Sequence, residues 1–506
     1  MSGSKRAAPR VVESAVSAEF LECARCGCAD NSACYSELRL LLVSVVLFCA
    51  IAMPARASNI TVTNTNDSGP GSLRQALRDA HDGDTINLAV TGTITLTSGG
   101  LPVNKSLTIS GPGKDQLSID GNQALLVFGI FPDKTATISG LTVRNAQSDI
   151  LNDGTVTVTN CALGGNSYAG LSNYGVATVS SCVLSGNLYW GLYSYLAETT
   201  VSNCVVSGNA GGGLFNNVPF GPNNSVSGDG SMTISDSIIS DNSGPGVKNY
   251  WFLTILNSTL SGNSTDDDGG GISSGTFKSP GYVTVINSTI SGNSTSSGGG
   301  GIAIQYGGLT IVNSTISGNS AGGAGGAISS TAAVEISNST ISGNSTTDPD
   351  YGYGGGISAH SITVSNSTVT GNSAATCGGV CGGTVEIGNT ILNANASGNI
   401  DGKVTSHGYN ISSDDGGGHL NGPGDQINTD PLLGPLRDHG GPTLTHLPLR
   451  GSPAIDAGDP SFTPPPDHDQ RGACFYRVFG GRIDVGSVET QLRPRCVTPA
   501  PRSTPH

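Results

Sequence analysis

The sequence predicts an all-β fold: a right-handed parallel β-helix with an N-terminal capping helix and a C-terminal loop-rich module. Three observations predict the β-helix. A frame of roughly 25 residues, a length typical of solenoid coils, recurs through the middle of the chain. Apolar and polar residues alternate inside each copy, as they do in a strand. An asparagine also returns at a fixed place in every copy, as in V-T-V-I-N-S-T-I-S-G-N at Val283–Asn293.

The frame divides each coil into about three short strands. Its first polar turn residue, taken as position zero, occurs at Asn160, Ser181, Asn203, Asp236, Asn257, Asn287, Asn313, Asn338, Asn366 and Asn389. The residues four and two before zero are mostly apolar, as are Val283 and Val285, and the third residue after zero is always apolar, as is Ile290. About ten residues after zero, a glycine and an apolar residue begin another strand. Because crossovers between parallel strands are overwhelmingly right-handed, the coils are expected to wind in that sense.

The recurring asparagines predict a structural ladder along the helix axis. An amide side chain can hydrogen-bond to identical side chains in the coils above and below it. The predicted ladder residues are Asn166, Asn263, Asn287, Asn293, Asn313, Asn319, Asn338 and Asn344. Replacing Asn313 with leucine is therefore expected to lower the stability, because neighbouring amides would lose their partners.

Composition agrees with a folded solenoid and gives no reason to expect nucleic-acid binding. The 506 residues are 36% hydrophobic and 12% charged, and they include 75 glycines and 25 prolines. Regular valine and isoleucine spacing argues against disorder despite the glycine content. The net charge is −14, and lysine and arginine form no basic patch near the repeats.

The cysteines indicate a mixture of buried and bridged positions. Cys161, Cys182 and Cys204 each lie one residue after position zero in successive coils, so they are expected to stack in the interior as small hydrophobic side chains, with a disulfide between adjacent coils as the alternative. Two further pairs, Cys377 with Cys381 and Cys474 with Cys496, can be bridged if the protein is exported.

The N-terminal segment has the pattern of a signal peptide. Leu40–Ala52 is an apolar run too short to span a bilayer comfortably, and the small-x-small sequence at Ala55–Ala57 follows it. Residues 1–57 are therefore interpreted as a leader, with cleavage before Ser58 and secretion or cell-surface display. No transmembrane span is expected in the mature chain. The alternatives are an uncleaved anchor or a buried segment.

A capping helix is predicted at Ser72–Ala80. Ser72 and Gln75 fit a capping box, and Gly83 can end the helix. The apolar face consists of Leu73, Ala76, Leu77 and Ala80. Such a helix would cover the open first coil, because a bare sheet edge invites aggregation. Residues 58–135 are accordingly assigned to this cap and to the first irregular coils.

Motifs at both ends resemble those of known exported proteins. G-S-L-R-Q-A-L at 71–77 and L-T-I-S-G-P-G at 107–113 resemble the opening of bacterial exported β-helix proteins of the pectate-lyase-like superfamily. D-P-L-L-G-P-L at 430–436, G-S-P-A-I-D-A-G at 451–458, D-Q-R-G at 469–472 and D-V-G-S-V-E at 484–489 resemble the choice-of-anchor Q family, which follows β-helix repeats on secreted or surface proteins. The periodic frame assigns repeats to 136–429, and the resemblance implies an anchoring-type module over 430–489. The sequence departs from the family pattern after Glu489, where a Pro-rich tail occupies 490–506. The resemblance implies export without fixing an activity.

Because parallel β-helices include pectate lyases, a polysaccharide lyase or glycoside hydrolase is the enzymatic alternative. Cleavage of an acidic polysaccharide requires carboxylates that hold calcium, a cationic group that neutralises uronates, and a base. No arginine lies between Arg144 and Arg437, and the only lysines there are Lys248, Lys278 and Lys403. This scarcity of cations argues against such an enzyme.

Two groups of polar residues are candidates for metal or acid–base sites. Asp266–Asp268 lie three coils before Asp348 and Asp350, about 14 Å away at the strand spacing, so solvated turns are the favoured interpretation and calcium the alternative. The second group, near the final coil, is His407, Asp414, Asp415 and His419, which can bind a cation or act as acid and base. No cofactor is expected otherwise.

The aromatic residues give the better candidate for a binding surface. Tyr168, Tyr174, Tyr189, Trp190, Tyr193 and Tyr195 fall in adjacent coils, several of them at equal offsets. Stacked rings on a rigid surface suit the faces of sugars. The structural alternatives are an outer aromatic ladder that only stiffens the coils, and side chains covered by the insertion at Phe215–Ser231.

These observations favour a non-catalytic, exported adhesin or glycan-binding scaffold whose partner is an extracellular polysaccharide or envelope glycan. A polysaccharide-cleaving enzyme and a purely structural envelope spacer are the alternatives.

Overall fold

In the computed structural model, described for residues 57–218, 230–350 and 352–491, parallel strands stack coil upon coil into a solenoid of about 14 turns. The predicted right-handed parallel β-helix is confirmed. Nearly all of the predicted signal peptide and of the Pro-rich tail, and Cys496, lie outside the described residues. No helix in the described part of the chain is long and apolar enough to cross a membrane.

Three rows of strands run along the solenoid. Row A precedes position zero and comprises Asn59–Val62, Thr85–Leu88, Leu107–Ser110, Thr135–Ser139, Thr155–Thr159, Val176–Ser180, Glu198–Ser202, Ser231–Ser235, Phe252–Leu256, Gly281–Ile286 and Gly307–Val312. Row B follows position zero and comprises Gly92–Thr95, Ala162–Gly164, Val183–Ser185, Val205–Ser207, Ile238–Ser240, Thr259–Ser261, Thr289–Ser291, Thr315–Ser317, Thr340–Ser342, Thr368–Thr370, Ile391–Asn393 and Ile411–Ser412. Row C comprises Leu101–Val103, Ala169–Asn173, Trp190–Tyr195, Gly212–Asn217, Val247–Asn249, Ile272–Ser274 and Ile302–Ile304.

Six longer strands turn a corner and contribute to two rows. Leu117–Ile130 and Thr142–Asn152 pass from row B into row C, and Ile328–Ser337, Ile357–Ser365, Val380–Gly388 and Ile400–Gly408 pass from row C into row A. A separate small sheet of Ser264–Thr265, Ser294–Thr295, Ser320–Ala321 and Ser345–Thr346 lies between rows B and C in the chain, and a 3₁₀ turn forms at Gly416–Gly418.

The interior is one continuous aliphatic core. Ile290, Ile316 and Ile341 pair in register in row B and are all fully buried in the same cluster. Residues two before position zero form a second column, represented by Val285 and Ile311. Alternate side chains in each strand face this core, which is the alternation predicted from the sequence.

The capping helix α1, Leu73–Asp79, lies over the first coil with Leu73, Ala76 and Leu77 buried in the core. Ser72 accepts a hydrogen bond from the Gln75 backbone N–H at 3.2 Å. The second half of the predicted capping box is absent, because the Gln75 amide instead donates to Asp79 at 2.7 Å. The backbone N–H of Ser72 is satisfied by the Gly69 carbonyl.

The asparagines form two different columns rather than the single predicted ladder. Asn166, Asn263, Asn293, Asn319 and Asn344 belong to a buried column six residues after position zero, in which each side-chain amide donates to the next at 2.8–3.0 Å. The other predicted members, Asn287, Asn313 and Asn338, lie at position zero itself, at the row A to row B corner. Their backbones have positive φ, between 50° and 53°. Asparagine tolerates this left-handed conformation better than most residues, which explains its recurrence at the corner.

The buried cysteines also accept backbone hydrogen bonds from neighbouring coils. Cys161, Cys182 and Cys204 are free and buried, so the inter-coil disulfide is not formed. The Sγ of Cys182 accepts the Cys161 backbone N–H at 3.4 Å, and Ser237 Oγ accepts the Cys204 N–H at 3.1 Å in the next coil. Cysteine and serine therefore fill the same acceptor position in successive coils. The Cys377–Cys381 disulfide is present.

The C-terminal module lies along the flank of the last coils. It packs on row B, where Gln470 accepts a hydrogen bond from Thr340 at 2.6 Å and donates to Thr315 at 2.8 Å, and Ser487 lies 3.1 Å from Thr340. Asp469 and Arg471 form a buried ion pair at 2.6 Å. The D-Q-R-G and D-V-G-S-V-E motifs therefore supply the residues that hold this module against the solenoid.

Candidate functional site: an aromatic platform on row C

Adjacent coils place aromatic side chains on the outer face of row C. Tyr193 pairs with Phe215 and Phe215 with Lys248, so these three residues form one column twelve residues after position zero. We define the aromatic platform as Tyr168, Tyr174, Tyr189, Tyr193, Tyr195, Phe215 and Tyr250. The outward direction follows from strand alternation, because the intervening residues Leu192 and Leu214 are buried in the core.

The rings of the platform contact one another without a break. The ring centroids of Tyr168 and Tyr189 lie 5.8 Å apart, and those of Tyr174 and Tyr195 lie 5.7 Å apart. Tyr193 joins both pairs, at 5.7 Å from Tyr168 and 6.3 Å from Tyr174. It also lies 5.5 Å from Phe215, which is 5.2 Å from Tyr250. Edge-to-face and tilted contacts at these distances are favourable, so the rings hold one another in place.

Exposure differs among the predicted platform residues. Tyr189 is 55% exposed and Tyr174 44% exposed, so their faces are open to solvent. Trp190, which the sequence placed with them, is only 9% exposed and packs against Phe215 at a centroid distance of 4.9 Å. Gly212 lies beneath it, and a Cβ there would approach the indole ring to 2.4 Å. Trp190 therefore supports the platform and offers no accessible ring.

Polar groups border the rings. Lys248 Nζ lies 5.9 Å from the Phe215 centroid and 6.0 Å from the Tyr250 centroid, within range of a cation–π interaction. The Asn217 amide donates to the Tyr193 hydroxyl at 2.9 Å. Burial raises the pKa of Tyr168 to about 12 and also raises the pKa values of Tyr174 and Tyr193. These hydroxyls therefore stay protonated and can both donate and accept hydrogen bonds near neutral pH.

An apolar groove continues the platform toward the N-terminus. It has a volume of about 690 Å³ and is lined by residues that include Leu126, Phe131 and Leu151. Leu125 at its rim is 75% exposed. Leu151 belongs to the same row C column as Ser172 and Tyr193, so groove and platform share one face. The structural alternative has the insertion at Phe215–Ser231 covering these aromatic side chains. Most of that insertion, residues 219–229, lies outside the described residues.

Sequence reasoning missed Phe215 and Lys248 as part of this surface. The signal was present, because Tyr193, Phe215 and Lys248 share the offset of twelve from Ser181, Asn203 and Asp236. The tyrosines were predicted because they are aromatic, whereas the shared offset of twelve identifies all three residues of the column.

The acidic turn residues differ in their surroundings: Asp266, Asp267 and Asp350 are exposed, whereas Asp268 is held by local hydrogen bonds. Burial alone would raise the pKa of Asp268, but hydrogen bonds from Ser297, the Gly298 N–H and Gln305 outweigh it and lower that pKa. Asp268 is thus a half-buried hydrogen-bond acceptor rather than a solvated turn residue. In the described part of the chain, no group of three or more histidine, cysteine or acidic side chains is arranged to hold a metal ion.

The second polar group is dispersed by the fold. His407 contacts Glu386, at 3.4 Å, on the outer face of row A, whereas Asp414 accepts from the Asn399 N–H and the Ser412 hydroxyl at the end of the solenoid. Asp415 accepts from Gly417 N–H at the 3₁₀ turn, and His419 ends that turn. The structure gives these residues separate local partners instead of one acid–base site.

Comparisons with known proteins find similarity in solved structures only. No protein-family model matches the chain, and no curated protein matches it. The A-module of the Azotobacter vinelandii mannuronan C-5 epimerase AlgE4 aligns at a TM-score of 0.44 and 14% identity, covering 73% of this chain and 99% of that one. Pectate lyase Pel9A aligns at 0.32 and 16% identity over 87% and 98% of the two chains. A PL6 alginate lyase complex with trisaccharide aligns at 0.42 and 11% identity over 79% and 92%. Similarities of this size carry no argument about activity.

Proposed function

We propose that this protein is an exported, non-catalytic glycan-binding scaffold or adhesin that binds its partner on the aromatic platform. The single observation that carries the proposal is the continuous set of seven rings on one rigid face, two of them about half exposed. Single exposed rings are common on protein surfaces, whereas a contiguous patch of them is typical of an interaction site.

The chemistry of the platform suits a carbohydrate. A sugar presents patches of C–H groups on its faces and hydroxyls at its edges, and tyrosine matches both with a ring face and a phenolic hydroxyl. The rings are fixed by contacts with their neighbours, so little side-chain entropy is lost when a ligand binds. Among the described residues, Lys248 is the only cation that lies over a platform ring, and the chain carries a net charge of −14. The favoured partner is therefore a neutral or weakly acidic polysaccharide.

Export and surface display belong to the same proposal. They rest on the signal-peptide pattern of residues 1–57 and on the choice-of-anchor Q resemblance of residues 430–489. A module held on the flank of the solenoid by buried residues such as Gln470 and Arg471 would leave the platform uncovered while it connects the protein to the surface.

The test compares a pair of exposed platform tyrosines with one exposed aromatic residue outside the platform, on a glycan array and by titration calorimetry. Tyr174→Ala combined with Tyr189→Ala removes the open faces of the platform. If each stacking contact contributes about 1 kcal/mol, the double variant weakens binding by roughly thirtyfold. Phe277→Ala is the control, because Phe277 is 79% exposed and its ring packs against that of Tyr306 rather than against a platform ring. Equal binding by wild type and the double variant would remove the platform from consideration.

The enzymatic alternative is tested separately. Purified protein is incubated with calcium and with uronate-containing and neutral polysaccharides, and unsaturated products or new reducing ends are measured. No product is expected. Chain shortening would replace the scaffold proposal with a lyase or a hydrolase, and absence of both cleavage and binding would leave the structural spacer.

A further inference from the structure

Row A carries an uninterrupted column of threonines on its solvent face, separate from the aromatic platform. Ten residues three before position zero, one per coil, pair in register: Thr85, Thr108, Thr137, Thr157, Thr178, Thr200, Thr233, Thr254, Thr284 and Thr310. None of these side chains is buried, and no register shift interrupts the pairing.

A second column of hydroxyls runs beside the first, two residues further along each strand. Its members are Ser110, Ser139, Thr159, Ser180, Ser202 and Ser235. From Thr108 to Ser235 the two columns contain no charged side chain. Adjacent strands are about 4.8 Å apart and alternate residues about 6.6 Å apart, so the hydroxyls form a rectangular net about 24 Å long within a threonine column of about 43 Å.

Strand propensity alone does not account for this uniformity. Threonine is favoured on a solvated strand, but so are valine, tyrosine and phenylalanine. The third outward column of the same strands contains Thr155, Val176, Glu198, Phe252 and Tyr282. The same strands and the same solvent face thus accept varied residues in one column and a single residue type in the next.

The hydroxyls of the threonine column are also free to bind an external partner. Within the described part of the chain, none of the ten hydroxyls makes a hydrogen bond to another protein group. Each strand is fixed by neighbours on both sides and by the aliphatic column beneath it. A rigid, two-dimensional, uncharged hydroxyl net fits a partner that is itself a rigid net of hydrogen-bonding oxygens. A crystal surface of ice has repeats in this range, whereas a flexible peptide or soluble glycan offers one line of contacts.

We propose that the threonine face of row A binds ice. The array orders water at the repeat of the sheet, and that ordered layer joins the growing crystal face. Binding is cumulative, because each hydroxyl contributes little alone and the rigid array positions all of them together.

The test places two lysines in the centre of the array, Thr178→Lys with Thr200→Lys, since a hydrated ammonium group disrupts an ordered layer. The control, Ser185→Lys with Ser207→Lys, adds the same charge to row B of the same two coils. We measure incorporation of the protein into a slowly growing ice hemisphere and inhibition of ice recrystallisation. Circular dichroism verifies that both variants keep the wild-type strand content.

Wild type and the row B control are expected to enter the ice and to slow recrystallisation, and the row A variant is expected to lose both effects. Exclusion of the wild-type protein from ice overturns the proposal. So does equal incorporation of the row A variant, and so does binding of crystalline cellulose that depends on Thr178 and Thr200 without any effect on ice.

Discussion

Replacement of Asn319 by leucine tests the buried asparagine column at its centre. Asn319 is fully buried, and its side chain makes four hydrogen bonds. Its Oδ1 accepts from the backbone N–H and the side-chain amide of Asn293, each at 3.0 Å. Its Nδ2 donates to Asn344 Oδ1 at 2.9 Å and to the Ile290 carbonyl at 3.0 Å. Leucine is of similar size, so the substitution removes hydrogen bonds without creating a large cavity.

The expected loss follows from the groups left behind. The Asn293 backbone N–H has no other acceptor among the described residues and remains buried. An unsatisfied buried donor lowers the free energy of unfolding by about 1–3 kcal/mol. The Asn293 side-chain amide keeps the Leu260 carbonyl and Asn344 Oδ1 keeps the Asn319 N–H, so these groups are only weakened. When the net contribution of the lost hydrogen bonds to stability is added to this cost, Asn319→Leu should lower the free energy of unfolding by about 4 kcal/mol.

Position zero supplies the comparison. Asn313 accepts one side-chain hydrogen bond, from Asn338 at 2.7 Å, and has a φ of 51°. Asn313→Leu loses that bond and places a branched side chain in the left-handed region of φ. The two effects together should lower the free energy of unfolding by about 2 kcal/mol. Asn313→Gly relieves the backbone and should lower stability by less than about 1 kcal/mol. Urea unfolding followed by circular dichroism measures all three variants. If Asn319→Leu is no more destabilising than Asn313→Leu, the assignment of energetic weight to the buried column is refuted.

Two further predictions concern buried groups with unusual surroundings. Burial and the charge of Asp484 raise the pKa of Glu489 from its ordinary 4.5 to about 8, so the folded protein holds a proton that the unfolded chain releases. This contribution to stability is complete below about pH 4.5 and falls by up to about 5 kcal/mol as the pH rises to 8. The urea midpoint should therefore decrease between pH 5 and pH 8, and Glu489→Gln should flatten that decrease; an unchanged slope would contradict a proton on Glu489. Separately, Cys182→Ser should change the midpoint little, because Ser237 fills the equivalent position, whereas Cys182→Ala leaves the Cys161 N–H unsatisfied and should cost about 1–3 kcal/mol. Equal midpoints for the serine and alanine variants would exclude the sulfur acceptor role.

The fold was predictable because the same offsets recur in every coil and because apolar and polar residues alternate within each strand. Alternation placed Val283, Val285 and Ile290 in the core, and the offset common to all coils placed each row in register. The two asparagine columns could not be separated in this way. Asn313 and Asn319 look equivalent in a periodic pattern, and only the backbone φ and the burial distinguish a corner residue from a ladder residue.

The candidate surface was predictable only in part, because its members depend on three-dimensional neighbours. Tyr174 and Tyr189 were found from their spacing, but the burial of Trp190 depends on Gly212 in the next coil. Spacing within the sequence cannot state which face of a large ring is covered. The D-Q-R-G motif was recognised only through a family resemblance, which gave no role to its individual residues. The structure assigns Gln470 and Arg471 to packing and ion pairing.

Two acidic residues lie at the ends of the buried amide column, and their pKa values shift in opposite directions. Every rung donates toward the C-terminal end, so the aligned amide dipoles give that end a partial positive charge. Asp414 accepts hydrogen bonds there from Asn399 and Ser412, and these outweigh burial to lower its pKa. At the opposite end, burial raises the pKa of Asp149 well above its ordinary value, and Asp149 accepts from Asn166 at 2.6 Å. Hydrogen bonds at one end of the stack thus favour the charged form of Asp414, whereas burial favours the neutral form of Asp149 against the hydrogen bond from Asn166. Both residues are accounted for as ends of the stack rather than as catalytic acids.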